Sequence, residues 1–238
     1  MFDFSDRVAM VTGAAGNLGQ AVARAFHAAG ARTVLADRDG GRLQQLYPGL
    51  QGSRGHLLAG GIDLTVDGAL DGVVAQAVEL FGRVDVLVNA VGGYRAGVRA
   101  HETPSQMWDL MLGLNLRTSL TAVRAAVPVM LRGHYGRIVM VAARAAAAGA
   151  AGMAAYSASK AAVVRLAESM AAELKGEGIT VNCVVPGTLD TPQNRRDRPD
   201  ADHSQWVAPE AVADVILFLA SEAARCVSGA AVPVLGLS

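Results

Sequence analysis

The sequence predicts a doubly wound α/β fold, a parallel sheet of about seven strands with helices on both faces. Two observations carry this. Short apolar runs rich in β-branched residues recur along the chain, and the stretches between them return their apolar residues at helical spacing. Strands that are apolar nearly throughout need cover on both faces, and helical crossovers between parallel strands supply it. The result is a Rossmann fold. With 238 residues, of which 52% are hydrophobic, the chain can bury one large core, and residues 1–238 are expected to form a single domain.

The run "RVAMVTG" opens the sheet, and apolar spacing over 19–29 predicts the helix that follows. "RTVLAD" is the second strand and "GHLLAGGIDL" the third, which ends at Asp63 and Leu64. A helix over 66–81 leads to the fourth strand, "VDVLVNAVG", and one long helix over 105–132 leads to the fifth, "GRIVMVA". A helix over 155–177 precedes "ITVNCVVPG", and a helix over 209–220 precedes the seventh strand, "AAVPVLG". No repeat or long linker interrupts this order, and the one extended polar segment is "TPQNRRDRPDADHSQ", 191–205.

Composition excludes several function classes. Lys plus Arg equals Asp plus Glu at 21 each, so no basic field exists to concentrate nucleic acid or an anionic membrane. The N-terminus reads as the start of a strand rather than a basic n-region with an apolar stretch, and no apolar run is long enough to span a bilayer. Cys183 and Cys226 have no metal-like spacing and read as free thiols, small buried hydrophobes in a reducing cytoplasm. No metal site is expected, and the expected partner is a small molecule.

In a doubly wound sheet the ligand crevice lies beyond the carboxyl ends of the strands. The first strand ends in "VTGAAGNLGQ", where Gly13, Gly16, Asn17, Leu18 and Gly19 form a turn that lets the backbone approach a pyrophosphate at a helix N-terminus. The spacing is not G-x-G-x-x-G, and a Gly-rich turn alone also fits a plain strand-to-helix connection. The second strand ends at Asp37, whose carboxylate can accept from both ribose hydroxyls and repels a 2′-phosphate, which favours NAD (NADH) over NADP. Arg38 follows at once and is able to pair with a phosphate. Asp63 and Leu64 are placed to frame the adenine, and Asn89, Ala90, Val91 and Gly92 end the fourth strand. Each of these fits a turn or cap taken singly; four consecutive strand ends fitting one ligand do not.

Together with Asn115, the pair Tyr156 and Lys160, and "VPGTLDT", these segments resemble the short-chain dehydrogenase/reductase family in order and spacing over essentially the whole chain. The resemblance implies that Tyr156 donates or accepts the proton and that Lys160 binds the nicotinamide ribose and lowers the phenol pKa. It implies that Asn115 holds a water in the proton path, and that Pro186, Gly187, Leu189 and Thr191 flank the nicotinamide amide and the pyrophosphate. It also implies a homodimer or homotetramer, built through the 105–132 and 155–177 helices and the last strand. Tyr156 and Lys160, four residues apart, share one helix face independently of any resemblance. An ammonium near a phenol brings its free pKa of about 10 toward working pH.

One position departs from the family pattern. Thirteen residues before Tyr156, where the family carries a Ser that hydrogen-bonds the substrate carbonyl, stands Ala143, and Ala142 precedes it. Ser157 and Ser159 follow Tyr156 and do not take that place. Losing one preorganised donor to a developing oxyanion costs on the order of 10² to 10³ in rate. Three readings meet this. The first is a substrate that needs no such donor: the chain is similar to the dihydropteridine reductase branch, which has Ala here, in its G-x-x-G-x-L-G turn, in the aromatic Tyr94 after a Gly pair, in Gly152 and Met153, and in the 188–206 segment. The second is a general NADH-dependent carbonyl or alcohol reductase in which Tyr94, Arg95, Asn194 or a water replaces the Ser. The third is a catalytically weak NAD-binding or regulatory protein. Few residues lie between Pro186 and Pro209, so the pocket is expected to be open, with Met153 and Trp206 as candidate walls.

Overall fold

The computed structural model describes residues 2–237. Seven strands form one parallel sheet: β1 (Val8–Thr12), β2 (Arg32–Asp37), β3 (His56–Gly60), β4 (Val86–Asn89), β5 (Gly136–Val141), β6 (Ile179–Pro186) and β7 (Ala231–Val234). Their order is β3-β2-β1-β4-β5-β6-β7, every pairing parallel. The order reverses between β1 and β4, so the ligand crevice is expected where those two strands end.

Pleating explains why the strands are apolar throughout. In β1, Val8 and Met10 face one layer of the core while Ala9 and Val11 face the other. The first layer takes side chains from α3 (Asp71–Phe81), α5 (Thr118–Arg132) and α6 (Ala154–Leu174). The second takes them from α1 (Asn17–Ala28), α2 (Gly40–Leu46) and α8 (Pro209–Ala220). Fully buried Phe26 on α1 meets Phe4 edge-on with ring centroids 5.0 Å apart. A buried side chain of this size contributes about 1.5–3 kcal/mol. At the amino end of the sheet, buried Asp85 accepts the Val8 N–H at 2.8 Å and the Arg83 Nε–H at 2.8 Å, so its charge is paired.

Several boundaries differ from the sequence expectation. The third strand stops at Gly60 rather than at Leu64, because Gly61 has φ +78° and turns the chain, leaving Asp63 and Leu64 in the loop beyond. The helix expected from residue 66 begins at Asp71, since Gly68 at φ +75° breaks the approach. The long 105–132 helix is three pieces, α4 (Ser105–Leu112), a π-helical turn over Gly113–Arg117, and α5. Two helices have no counterpart in the sequence reading: α2, and α7 (Pro192–Asp197), which lies within the segment read as an extended polar stretch. Cys183 is buried as expected, whereas Cys226 is exposed in the loop before β7.

Candidate active site

The crevice is built on glycine. Gly13 leaves β1 at φ +71°, and a Cβ there would stand 3.0 Å from the Ala90 carbonyl carbon and the Val91 nitrogen at the end of β4. A Cβ on Gly19 would overlap the Gly13 carbonyl oxygen, so the first turn of α1 sits directly on the loop that feeds it. Gly16 caps α1 without a side-chain hydrogen bond. Backbone N–H groups at this end therefore face the crevice without a side-chain partner, which suits an anionic group.

Asp37 closes the turn from the side. One carboxylate oxygen accepts the Ala15 N–H at 2.9 Å and the other accepts the Asp39 N–H at 2.9 Å, which fixes the group at the end of β2. Arg38 is exposed and lies close enough to Asp63 to hold its carboxyl down, after the larger effects of the Thr65 hydroxyl and N–H on the same group. Asp63 thus ties its own turn and attracts Arg38, while Leu64 beside it is buried.

The end of β4 carries a buried polar chain. The Thr12 hydroxyl donates to Asn89 Oδ1 at 2.6 Å, Asn89 Nδ2 donates to Ser119 Oγ at 2.9 Å, and that hydroxyl donates to the Asn115 carbonyl at 2.9 Å. The π-helical turn explains how Asn115 reaches inward from a long helix, because its extra residue re-aims the side chain. Asn115 Oδ1 accepts the Gly93 N–H at 2.9 Å, and Nδ2 donates to the Gly93 carbonyl at 3.1 Å and to Ser159 Oγ at 2.9 Å. Ser159 donates in turn to the Tyr156 carbonyl at 2.7 Å. Gly92 lies where these groups converge, since a Cβ there would be 2.9 Å from Asn115 Oδ1 and 3.0 Å from Lys160 Nζ.

Tyr156 lies in the first turn of α6, and Tyr94 meets it edge-on with centroids 4.9 Å apart. Its phenol is pushed up to about 12, first by burial and then by Tyr94. Lys160 is 5% exposed, donates from Nζ to the Val141 carbonyl at 2.9 Å, and is pushed down to about 8 by burial. The ammonium thus rests on a main-chain carbonyl at the end of β5, and the phenol's shift comes from burial and Tyr94. A buried ammonium bonded to one carbonyl also weakens the fold. Between about 8 and its ordinary 10.5 the unfolded chain holds the proton that the folded one has lost, so this group adds stability as pH rises through that window. The Cys183 thiol beside it, pushed up to about 12 by burial, acts in the opposite sense above its ordinary 9.0, and the raised tyrosines do so above 10, so the net rise falls between about pH 8 and 9. Thermal unfolding of a Lys160→Met variant should accordingly show a higher Tm than wild type at pH 7 and no rise between about pH 8 and 9; an unchanged rise would place its source elsewhere.

The predicted substrate residues separate. Ala143 is buried just after β5, in a turn that packs on α6, and presents only a methyl group. Met153 lines a small cavity with Arg95, Ala96 and Met107. Asn194 is not free, because Nδ2 donates to the Leu189 carbonyl at 2.8 Å. Trp206 packs on His203 with ring centroids 4.3 Å apart, in the segment after α7. Pro186 ends β6 and Gly187 follows it, Leu189 bridges to Val207, and Thr191 is buried and caps α7 by accepting the Asn194 N–H at 3.1 Å. Sequence reasoning missed Thr12, Ser119 and the Val141 carbonyl; for the first two, a hydroxyl at a strand end and one four residues after Asn115 were the available signals.

The short chain dehydrogenase family matches residues 7–202. The chain belongs to that family. Subunit BbsD of (2S)-[(R)-hydroxy(phenyl)methyl]succinyl-CoA dehydrogenase from Thauera aromatica is 34% identical over 97% of this chain and 96% of its own. Meso-2,3-butanediol dehydrogenase from Serratia marcescens is 34% identical over 98% and 94%. Among solved structures, a short-chain glucose/ribitol dehydrogenase from Brucella melitensis superposes with a TM-score of 0.86 at 31% identity, covering 99% of this chain and 98% of that one. The protein is thus a short-chain dehydrogenase/reductase oxidoreductase, a family that works with nicotinamide cofactors and small-molecule substrates. Among the described residues no helix is long and apolar enough to cross a membrane, and no cluster of His, Cys, Asp and Glu could hold a metal ion.

Proposed function

We propose that the protein exchanges hydride between NAD(H) and a small secondary alcohol or its ketone, with Tyr156 giving or taking the proton. The observation that carries this is the convergence of Lys160 and Asn115 on Gly92, with Ser159 tying Asn115 to the Tyr156 carbonyl, beside a glycine turn closed by Asp37. These residues fit a dinucleotide: Gly13, Gly16 and Gly19 leave room for backbone to meet a pyrophosphate, with Asn17 and Leu18 opening α1 above it. Asp37 offers fixed acceptors to ribose hydroxyls and would repel a 2′-phosphate. Leu64, Ala90, Val91, Pro186, Gly187, Leu189 and Thr191 would complete the wall.

When bound, the nicotinamide supplies or receives the hydride. Tyr156 holds the proton at its phenol oxygen, matched to the substrate oxygen. Lys160 would leave the Val141 carbonyl for the ribose hydroxyls, and its charge would then stabilise the phenolate. Asn115 fixes Gly93 and, through Ser159, the first turn of α6, which orients the tyrosine.

Asp37 yields a direct test of the cofactor choice. Hydrogen bonds to a charged group contribute about 1.5–3 kcal/mol, which is tenfold or more in affinity. Fluorescence titration should find NADH bound tighter than NADPH, and Asp37→Asn, which keeps the shape and removes the charge, should narrow the preference by about tenfold. Equal binding of both cofactors by wild type would remove the NAD assignment.

A second reading is favoured by Ala143, which presents no hydroxyl, and by the 188–206 segment that resembles the dihydropteridine reductases. A quinonoid dihydropterin takes hydride into a conjugated imine system, so little charge falls on an oxygen near residue 143. NADH consumption with diacetyl and with quinonoid dihydropterin generated in the cuvette separates the two. Turnover of the pterin alone would select the second reading, and NADH binding with no turnover of either would favour a regulatory role.

A further inference from the structure

When hydride adds to a carbonyl, charge builds on its oxygen, and one tyrosine rarely stabilises it alone. The groups around Tyr156 can be surveyed for a second donor. Ala143 offers a methyl group, and Ser159 spends its hydroxyl proton on the Tyr156 carbonyl. Ser157 has no hydrogen-bond partner for its hydroxyl, but that oxygen is fully closed off inside the packed side of α6, so a substrate does not reach it. Asn194 donates to Leu189, Arg95 bends back to the Tyr94 carbonyl at 2.7 Å, and Arg144 is exposed. Tyr94 alone remains, with its ring against Tyr156 and no protein group bonded to its hydroxyl among the described residues.

The loop that carries Tyr94 is pinned on both sides. Gly93 exchanges two hydrogen bonds with the Asn115 amide, at 2.9 and 3.1 Å. Gly97, at φ +102°, donates its N–H to the Gly152 carbonyl at 2.9 Å, and a Cβ on Gly152 would approach Gly97 to 3.3 Å. A side chain three residues from one tether and one from the other is held well enough to act as a preorganised donor. At 45% exposure it is also open to solvent and hence to a ligand.

We infer that the Tyr94 hydroxyl is the second donor to the substrate oxygen, a catalytic residue that takes the part Ala143 cannot. The inference rests on the carbonyl and alcohol reading above. In the reducing direction the hydride and its electron pair, supplied by NADH, add to the carbonyl carbon and the π pair moves to oxygen. Tyr156 delivers its proton to that oxygen and is reprotonated from solvent, while Tyr94 donates a hydrogen bond and keeps its proton. The two rings fix the edge of the pocket, which favours compact ketones over branched ones.

The test uses the full chain and diacetyl with NADH. Tyr94→Phe keeps the ring and its packing and removes only the hydroxyl, so kcat should fall on the order of 10²-fold with KM and NADH affinity little changed. Adding Ala143→Ser to Tyr94→Phe should recover part of the loss. Unchanged kcat in Tyr94→Phe, while Tyr156→Phe is inactive, would overturn the role of Tyr94 and leave the proposed function standing. Loss of NADH binding along with activity would also overturn it, as the mark of a structural part. Wild type inactive on diacetyl and other small ketones would overturn both readings together.

Discussion

Tyr156→Phe should lower turnover by 10² to 10⁴-fold, the range that a positioned proton donor contributes, while NADH still binds. The two halves of this result come from different parts of the molecule. Phe keeps the ring that meets Tyr94 at 4.9 Å and keeps the helical backbone whose carbonyl accepts from Ser159. Only the phenol oxygen goes. The turn at Gly13 to Gly19 and the Asp37 carboxylate do not depend on it. Steady-state kinetics beside a fluorescence titration of NADH separates the halves, and a variant within tenfold of wild type would remove Tyr156 from the proton path. A pH profile adds a second check. Burial pushes the Tyr156 phenol up to about 12 and Lys160 down to about 8, and a limb of the kcat profile that belongs to the phenol should be absent from the residual activity of Tyr156→Phe.

Gly19→Ala should be the most damaging small substitution in the crevice. Its Cβ would stand 2.7 Å from the Gly13 carbonyl carbon and 3.0 Å from the Ala14 Cα, and it would overlap the Gly13 oxygen. All three are backbone atoms of a turn already held at φ +71°, so no side chain can swing away. Overpacking of this kind costs about 1–3 kcal/mol or more, and for a chain of this size each kcal/mol moves Tm by about 2–4 °C. The expected result is a Tm lower by roughly 5–10 °C together with loss of NADH binding. Gly72→Ala is the control, since a Cβ there meets nothing within 4 Å on α3. Equal behaviour of the two variants in thermal unfolding and cofactor titration would mean that the turn is not the cradle described.

How far the sequence could be read follows from what each element depends on. Apolar alternation with helical spacing was enough for the parallel sheet, and the 209–220 helix is matched by Pro209–Ala220. Helices α2 and α7 are short and largely polar, so periodicity carried no signal for either. The third strand stops early because Gly61 turns the chain at positive φ, just where Gly60 packs on Gly40 of α2, a contact that lies outside any local pattern. The π-helical turn adds one residue to a helix without altering its composition, which is why the 105–132 run read as continuous.

The site divides in the same way. Asp37 was named by its place at a strand end, and Tyr156, Lys160 and Asn115 by their resemblance to the short-chain dehydrogenase/reductase pattern. Neither signal could say that Lys160 rests on Val141, that Ser159 ties Asn115 to Tyr156, or that Tyr94 turns its ring to the tyrosine. Those depend on loops meeting across the sheet. Ala143 was legible as a departure, but what stands in for its hydroxyl needed the geometry.

The central claim is hydride transfer with NADH at this crevice, and isotope tracing tests it most directly. NADH deuterated at C4 would be incubated with diacetyl and the product analysed by mass spectrometry. The account predicts one deuterium on the carbinol carbon, drawn from one face of the cofactor, with Tyr156→Phe forming little product at unchanged NADH binding. Product free of deuterium, or deuterium delivered equally from both faces, would contradict it.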